Sequence, residues 1–314
     1  MKLIKPSFEI WEQGAGLEGV YKQIERAGRV CYKSEDKITE TSAKEFVKRM
    51  IKSGHGAMLE HGTVYLNYSS YEYFDKENGF PLNKYEENPY SKCMIVKYPL
   101  LSKIEGWVTT NLRVLVENGW LDDLQYICEP TEYHAKRHTV KFICDRGVSH
   151  EFVRHRVMSF AQESTRYCNY SKDKFGNELT YIIPCWINIP EGSYELFEED
   201  DSIQGLHCHC LSDKEWVTKD FGTKAFLRNC DDAEQNYFEL LKQGWKPQEA
   251  RAVLPNSLKT ELVVTGFASD WEHFFELRDA GSAHPQAREL AHPLHMEFLR
   301  RKYLVSLYDE ANPD

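Results

Sequence analysis

Long apolar runs are missing from this 314-residue chain, and none approaches the ~20 residues that a helix needs to cross a bilayer. A secretion core is missing as well, because the chain opens with the mixed segment Met1-Lys2-Leu3-Ile4-Lys5-Pro6. Basic residues are scarce: 39 Lys and Arg stand against 49 Asp and Glu, for a formal net charge of −10. That balance argues against broad binding to a nucleic acid polymer, so the basic residues should serve one local site. Cysteine is not scarce, but the nine are odd in number and scattered, which reads as reduced thiols in a cytoplasmic protein. No internal repeat or clear linker divides the chain. What remains, 41% hydrophobic and 28% charged residues, is the composition of a soluble globular enzyme with enough chain for a substantial core.

Helical spacing of Leu17, Val20, Tyr21, Ile24 and Ala27 predicts a helix over 17–30. A second should start at Ser42, with Glu45 completing a capping box, and stop at Gly54. Thr63 to Tyr68 alternates like a strand, and 73–92, with Asn78-Gly79, Pro81 and Pro89, reads as loop. Short helices are expected over 111–118 and 121–127, and strands over 139–144, 181–187 and 262–265. An acidic loop surrounds Glu198-Glu199-Asp200-Asp201. Phe226, Cys230, Ala233, Tyr237 and Leu241 mark a long helix. Ser269 with Glu272 should cap another, and a last helix starts at Pro285, with Pro293 the place for a kink. Strands and helices mix without regular βαβ alternation, which predicts one α+β domain.

Against the acidic background, Arg154-His155-Arg156 is followed after seven residues by Ser164, and then by Arg166-Tyr167. A solvated basic helix face is the ordinary explanation for such a run. Arg-His-Arg-x7-Ser, however, arises by chance in roughly one chain of this length in a thousand, and arginine forks match phosphate oxygens bidentately. Read as a helix, Ser149 to Phe160 puts Phe152, Val153, Val157 and Phe160 on one side, with Arg156 near its edge. Glu151, Arg154, His155 and Met158 fall on the other side. Gln162, Ser164, Thr165 and Arg166 then form a turn offering an amide, two hydroxyls and a guanidinium. A nucleoside monophosphate needs that mixture, with donors for the phosphate and an amide or carboxylate for a base edge.

The string resembles the signature of the flavin-dependent thymidylate synthases. Three more segments are similar to that family's motifs, in the family's order: Gly54-His55-Gly56-Ala57-Met58-Leu59-Glu60-His61, then Ala250-Arg251-Ala252-Val253-Leu254-Pro255, then Phe275-Glu276-Leu277-Arg278. The resemblance covers the first 60 or so residues, then roughly 139–185 and 222–300. It leaves 70–138 and 187–220 as insertions in a single domain spanning 1–314. It implies a mixed β-sheet flanked by helices, assembled as a homotetramer with active sites between subunits. The implied reaction is reductive methylation of dUMP to dTMP, with bound FAD and with NADPH and 5,10-methylenetetrahydrofolate as co-substrates. By resemblance, Glu151, Arg154, Ser164, Thr165, Arg166, Arg251 and Arg278 contact dUMP. His55, Ala57, Arg154, His155, Arg156, Gln162, Ser269 and His273 would contact FAD. Arg278, on a helix anchored by Phe274, Phe275 and Leu277, is the catalytic candidate: a guanidinium beside N3 and the uracil carbonyls would stabilise charge building in the ring. Three positions depart from the family pattern. Ala161-Gln162 stands where Asn-Glu is usual, Glu151 where Gln is usual, and His273 where Asn is usual. Glu151 and Gln162 keep a hydrogen-bonding side chain at each place but change its donors and charge.

Other readings compete. Ser164 as a nucleophile lacks a G-x-S-x-G elbow and is surrounded by arginines. Gly14-Ala15-Gly16-Leu17-Glu18-Gly19 matches the dinucleotide G-x-G-x-x-G, with Glu35 and Asp36 near the ribose position, yet Phe8 to Gln13 is not the buried apolar strand that must precede it. His207-Cys208-His209-Cys210 suggests a metal, but four consecutive residues cannot easily wrap a tetrahedral ion, and no metal is expected. Two further classes follow from these: a Rossmann-type NAD(P)-dependent dehydrogenase, and an RNA-binding module using Arg154 to Arg156.

Overall fold

The computed structural model describes residues 1–70, 82–98, 103–172, 176–198, 206–211, 215–216 and 220–304. The chain opens with β1 (Lys2–Ile4) and β2 (Ser7–Trp11), then enters α1 (Gly16–Tyr32). Val20, Ile24, Ala27 and Val30 recur at helical spacing on α1 and are almost fully buried. Lys33 closes the helix in the left-handed conformation (φ 47°). α2 (Ser42–Lys52) and α3 (Gly56–Leu59) pack on α1, and β3 (Thr63–Ser70) follows. Next come α4 (Asn83–Glu86), β4 (Lys92–Tyr98), β5 (Lys103–Asn111) and α5 (Leu112–Glu117), which the Asn111 side chain caps by accepting from Val114 N at 3.2 Å. β6 (Arg137–Asp145) leads into α6 (Arg146–Phe152), whose cap is Asp145, accepting from Val148 N at 2.7 Å.

β7 (Ser159–Gln162), β8 (Thr180–Ile182), β9 (Gly192–Glu198), β10 (Leu206–Cys210) and β11 (Glu215–Trp216) come next. The long helix α7 (Phe221–Lys242), α8 (Pro247–Ala250), β12 (Lys259–Phe267), α9 (Ala268–Arg278) and α10 (Pro285–Arg300) complete the described chain. α10 runs through Pro293 without ending. The fold is α+β, and among the described residues its strands divide into three sheets, ordered β11-β10-β9-β1-β8, β2-β6-β12-β7 and β3-β5-β4.

The second of these sheets positions the site. β12 is its central, almost wholly buried strand, antiparallel to both β6 and β7. Side chains alternate across it. Val263, with Ala161 of β7, packs toward α1, whereas Leu262 and Val264 pack with Phe152, Trp271, Phe274 and Phe298 toward α9 and α10. Removing a side chain such as Phe274 from that layer costs about 3–5 kcal/mol.

Several local expectations need correction. Ser42 does not cap α2: its hydroxyl donates to Glu25 at 2.7 Å, and Glu45 pairs with Lys48 instead. Asp270, not Ser269, closes the start of α9, accepting from Phe267 N at 2.8 Å. The strand expected over 181–187 ends at Ile182, two residues before Pro184, which has no N–H for a ladder. The 121–127 segment is 3₁₀ over Leu121–Tyr126. Part of the loop expected over 73–92 is α4, and the remainder to residue 81 lies outside the described residues, as does the acidic loop beyond Glu198. The dinucleotide fingerprint fails on topology, since β2 is an antiparallel edge strand. Its glycines serve packing: a Cβ on Gly19 would fall 1.8 Å from Gly14 O.

Candidate functional site

The helix expected over Ser149 to Phe160 stops at Phe152. Arg154-His155-Arg156 occupies a turn, with His155 N bonded to Phe152 O at 3.2 Å and Met158 N to His155 O at 3.0 Å. Ser159–Gln162 then pairs with β12 from Ser159 opposite Thr265 to Gln162 opposite Leu262. Burial in β7 alternates with period two, so the strand ladder outcompetes a helix whose apolar face was only partly real: Val157 is 63% exposed. The projected cluster is rearranged accordingly. Arg154 and Arg156 are exposed, while His155 is buried.

His155 and Glu151 meet Arg278 at the end of α9. Arg278 Nη1 donates to Glu151 Oε2 at 2.8 Å, Nη2 to the Glu151 carbonyl at 2.8 Å, and Nε to His155 Nε2 at 3.1 Å. The bonds run to a helix end, a turn and a carboxylate more than 120 residues away, so the guanidinium is fixed in one orientation. Because His155 Nε2 accepts, its proton sits on Nδ1. Burial, then the Arg278 charge, pushes this imidazole down to about 4, leaving it neutral at pH 7. The ring also contacts His273, at 5.8 Å between centroids, and Phe274, at 5.0 Å. Arg278 is therefore not a surface arginine paired with Asp279 or Glu276. Glu151 accepts a bond from it, a constraint invisible in the sequence.

A second group forms where β7 leaves the sheet. Ser164 N donates to Cys31 O at the end of α1, and Ser164 Oγ accepts from Arg166 N at 3.3 Å. Thr165 is buried and accepts from Arg251 Nη1 at 3.1 Å. Tyr167 lies against Tyr32, whose hydroxyl is 3.0 Å from His55 Nδ1. These contacts gather Ser164, Thr165, Arg166, Arg251 and His55 around one turn. Gln162 sits between the two groups, donating to Ser149 Oγ at 2.8 Å and Thr260 Oγ1 at 3.2 Å. Ala57 is exposed on α3. Ser269 is exposed at the start of α9, where Lys92 Nζ donates to its hydroxyl at 2.5 Å.

Beneath the turn lies a buried ionic network that sequence reasoning missed. Glu163 accepts from Tyr170 OH at 3.1 Å and from Lys259 Nζ at 2.8 Å. Lys259 also reaches Glu261 at 2.8 Å, and Lys141 and Lys33 pair with the same carboxylate. Burial alone would raise Glu261, but the charges of Lys259 and Lys33 outweigh it and hold the carboxyl well below the usual range. The available signal was Lys259-x-Glu261, two charges on one face of an apolar strand.

The donor set suits anionic ligands. Arg154, Arg156, Arg166 and Arg251 are exposed, and among the described residues none pairs with a carboxylate. The Cys31 thiol, near the turn, is pushed up to about 11 by burial and is a thiol at neutral pH. Among the described residues no group of three or more His, Cys, Asp or Glu could hold a metal ion. Side chains of His207 to His209 lie outside the described residues; their backbone is β10. Among the described residues no helix is long and apolar enough to cross a membrane.

Residues 134–301, more than half of the chain, match the family described as Thymidylate synthase complementing protein. The chain belongs to this family of flavin-dependent thymidylate synthases. The flavin-dependent thymidylate synthase of Corynebacterium glutamicum is 30% identical over 282 residues, 89% of this chain and 76% of that protein. That of Corynebacterium efficiens is 31% identical over 172 residues, 54% of this chain and 61% of that protein. That of Geobacter sulfurreducens is 28% identical over 170 residues, 54% of this chain and 57% of that protein. The chain thus spans about three fifths of the length of the latter two relatives. Among solved structures, the UMP/dUMP methylase PolB from Streptomyces cacaoi bound with 5-Br dUMP is similar with a TM-score of 0.40 and 18% identity, covering 96% of this chain and 93% of that one.

Proposed function

We propose that the chain is an FAD-dependent thymidylate synthase that methylates dUMP to dTMP, with 5,10-methylenetetrahydrofolate and NADPH as co-substrates. The observation that carries this reading is a pair of exposed arginines at the Ser164 turn, Arg166 and Arg251, with Arg154 and Arg156 exposed ahead of β7, none paired with a carboxylate among the described residues in a chain of net charge −10. Family membership supports it. Ser164, Thr165, Arg166 and Arg251 would bind the phosphate, with the Glu163–Lys259 pair holding their turn in place. Arg278, oriented by Glu151 and His155, would donate to the uracil and stabilise negative charge at N3 and the carbonyls. Neutral His155 leaves the guanidinium's charge undiminished by a second anion.

FAD fits the same surroundings: Arg154 and Arg156 are exposed, Ser269 offers a hydroxyl, and Arg137 has a buried Nε without a partner among the described residues. Arg154, His155, Arg156, Gln162, His55, Ala57, Ser269 and His273 are the residues that would hold it. When bound, the flavin supplies the reducing equivalents. The protein's part is to orient the rings and exclude water. The same reading includes a single domain with additions at about 70–138 and 187–220, a cytoplasmic location and a homotetramer with sites between subunits. The test is the visible spectrum of the purified protein, followed by dTMP formation from dUMP with both co-substrates. Flavin absorbance and dTMP that requires NADPH are expected. A colourless protein whose affinity for RNA falls steeply with salt would overturn the reading in favour of an RNA-binding module.

A further inference from the structure

The region at about 70–138 has no assigned role, yet its strands β4 and β5, which extend β3 into a three-stranded sheet, reach the proposed cofactor site. β4 is an edge strand, paired with β5 from Lys92 opposite Thr109 to Tyr98 opposite Lys103. Ser91 Oγ ties its start to Thr110 Oγ1 at 2.8 Å. This register delivers Lys92 to the first turn of α9, where Nζ bonds Ser269 Oγ at 2.5 Å and lies 4.7 Å from the Phe267 ring centroid. Arg137 lies over the same ring at 5.5 Å. Its other bonds run to neutral acceptors: the Glu60 carbonyl at 3.1 Å, Thr63 Oγ1 at 3.2 Å and Ser159 Oγ at 3.4 Å.

Two cations thus meet at one aromatic ring, and among the described residues neither has a carboxylate within salt-bridge distance. The nearest acid in the first turn of α9, Asp270, is taken up by Phe267 N at 2.8 Å. A hydroxyl and two unneutralised cations, one of them largely buried, call for an anion. Burial pushes the Arg137 guanidinium down to about 10, outweighing the opposing charges of Tyr65, Glu60 and Asp270, none of which forms an ion pair with it among the described residues.

We infer that Lys92, carried by the added sheet, is a ligand of the FAD diphosphate, with Ser269 and Arg137 completing its anion contacts. This inference rests on the flavin reading above. It gives the added segment a function: supplying a cation to the cofactor from outside the four motif segments. The phosphate of dUMP or the 2′-phosphate of NADPH would offer similar chemistry, so the test must separate them.

The experiment uses the full chain stripped of flavin, in wild-type, Lys92→Ala and Lys92→Arg forms. Quenching of flavin fluorescence gives affinities for FAD and for riboflavin, which lacks phosphate, at low and moderate salt. Calorimetry gives those for dUMP and NADPH. In Lys92→Ala, FAD should bind roughly tenfold more weakly, with a shallower salt dependence, while riboflavin is unaffected. Lys92→Arg should restore most of the FAD affinity. Equal losses for FAD and riboflavin, an unchanged FAD affinity, or a loss confined to dUMP or NADPH would overturn the inference. A wild-type protein that binds no flavin would remove the parent reading as well. Wild-type FAD binding that survives Lys92→Ala would remove this inference alone.

Discussion

At the scale of single residues, Arg278 shows how position and chemistry combine. Its three bonds to Glu151 and His155 use all three guanidinium nitrogens, yet each terminal nitrogen keeps a second N–H for a ligand. Arg278→Lys would keep the charge and lose the fork, so it would no longer span Glu151 and His155. dUMP should still bind, dTMP formation should fall by about two orders of magnitude, and NADPH oxidation by the holoenzyme should persist. Separate stopped-flow measurement of NADPH oxidation and dTMP formation decides it, and near-normal dTMP formation would remove Arg278 from the mechanism. The Phe275-Glu276-Leu277-Arg278 motif singles this arginine out as a candidate from the sequence. Its partners were not legible there, because hydrogen bonds to residues 127 and 123 positions away leave no local trace.

Secondary-structure elements were legible where one face alone decides burial. α1, α7 and the strand around 139–144 follow their apolar periodicity, and β12 is longer than expected because its flanking Thr260 and Glu261 are buried and Lys259 is paired with Glu163 and Glu261. The error at Ser149 to Phe160 has the same root. Phe152, Val153 and Phe160 satisfy a helix and a turn-strand unit equally, and only pairing with β12, a hundred residues on, decides between them. Helix contacts also hide in glycines. A Cβ on Gly28 of α1 would lie 2.5 Å from Cζ of the buried Phe46 of α2, so close that the ring or the helices must shift. Gly28→Ala should therefore destabilise the fold by about 1–3 kcal/mol despite alanine's better helix propensity. Gly281→Ala, where a Cβ meets nothing within 4 Å, serves as the control. A urea midpoint for Gly28→Ala equal to that of the control would show that α1 and α2 can part without cost.

For the molecule as a whole, buried histidines set how stability responds to acid. His61 is fully buried with Nδ1 2.8 Å from Thr265 Oγ1, and burial pushes it down to about 3. Burial likewise holds His138 and His155 down at about 4. All three are neutral in the folded chain through mildly acidic pH, whereas in the unfolded chain a histidine takes up a proton below about 6.5. Between roughly pH 4 and 6.5 the unfolded state therefore binds more protons, and stability must rise with pH across that window and fall on acidification. Asp145 and Glu289, whose carboxyls are raised by burial, act in the opposite sense, so the net slope alone is not diagnostic. A substitution isolates the histidine contribution. His61→Asn keeps a hydrogen-bonding group near Thr265 but cannot ionise, so it should lower overall stability while flattening the pH dependence. The expected change is about 1 kcal/mol per pH unit between pH 5 and 6, approaching the limit for one proton. Urea midpoints at pH 5, 6 and 7.5 measure it in both proteins. Parallel curves would mean that His61 is already protonated in the folded state, and that the core around β12 tolerates a buried imidazolium.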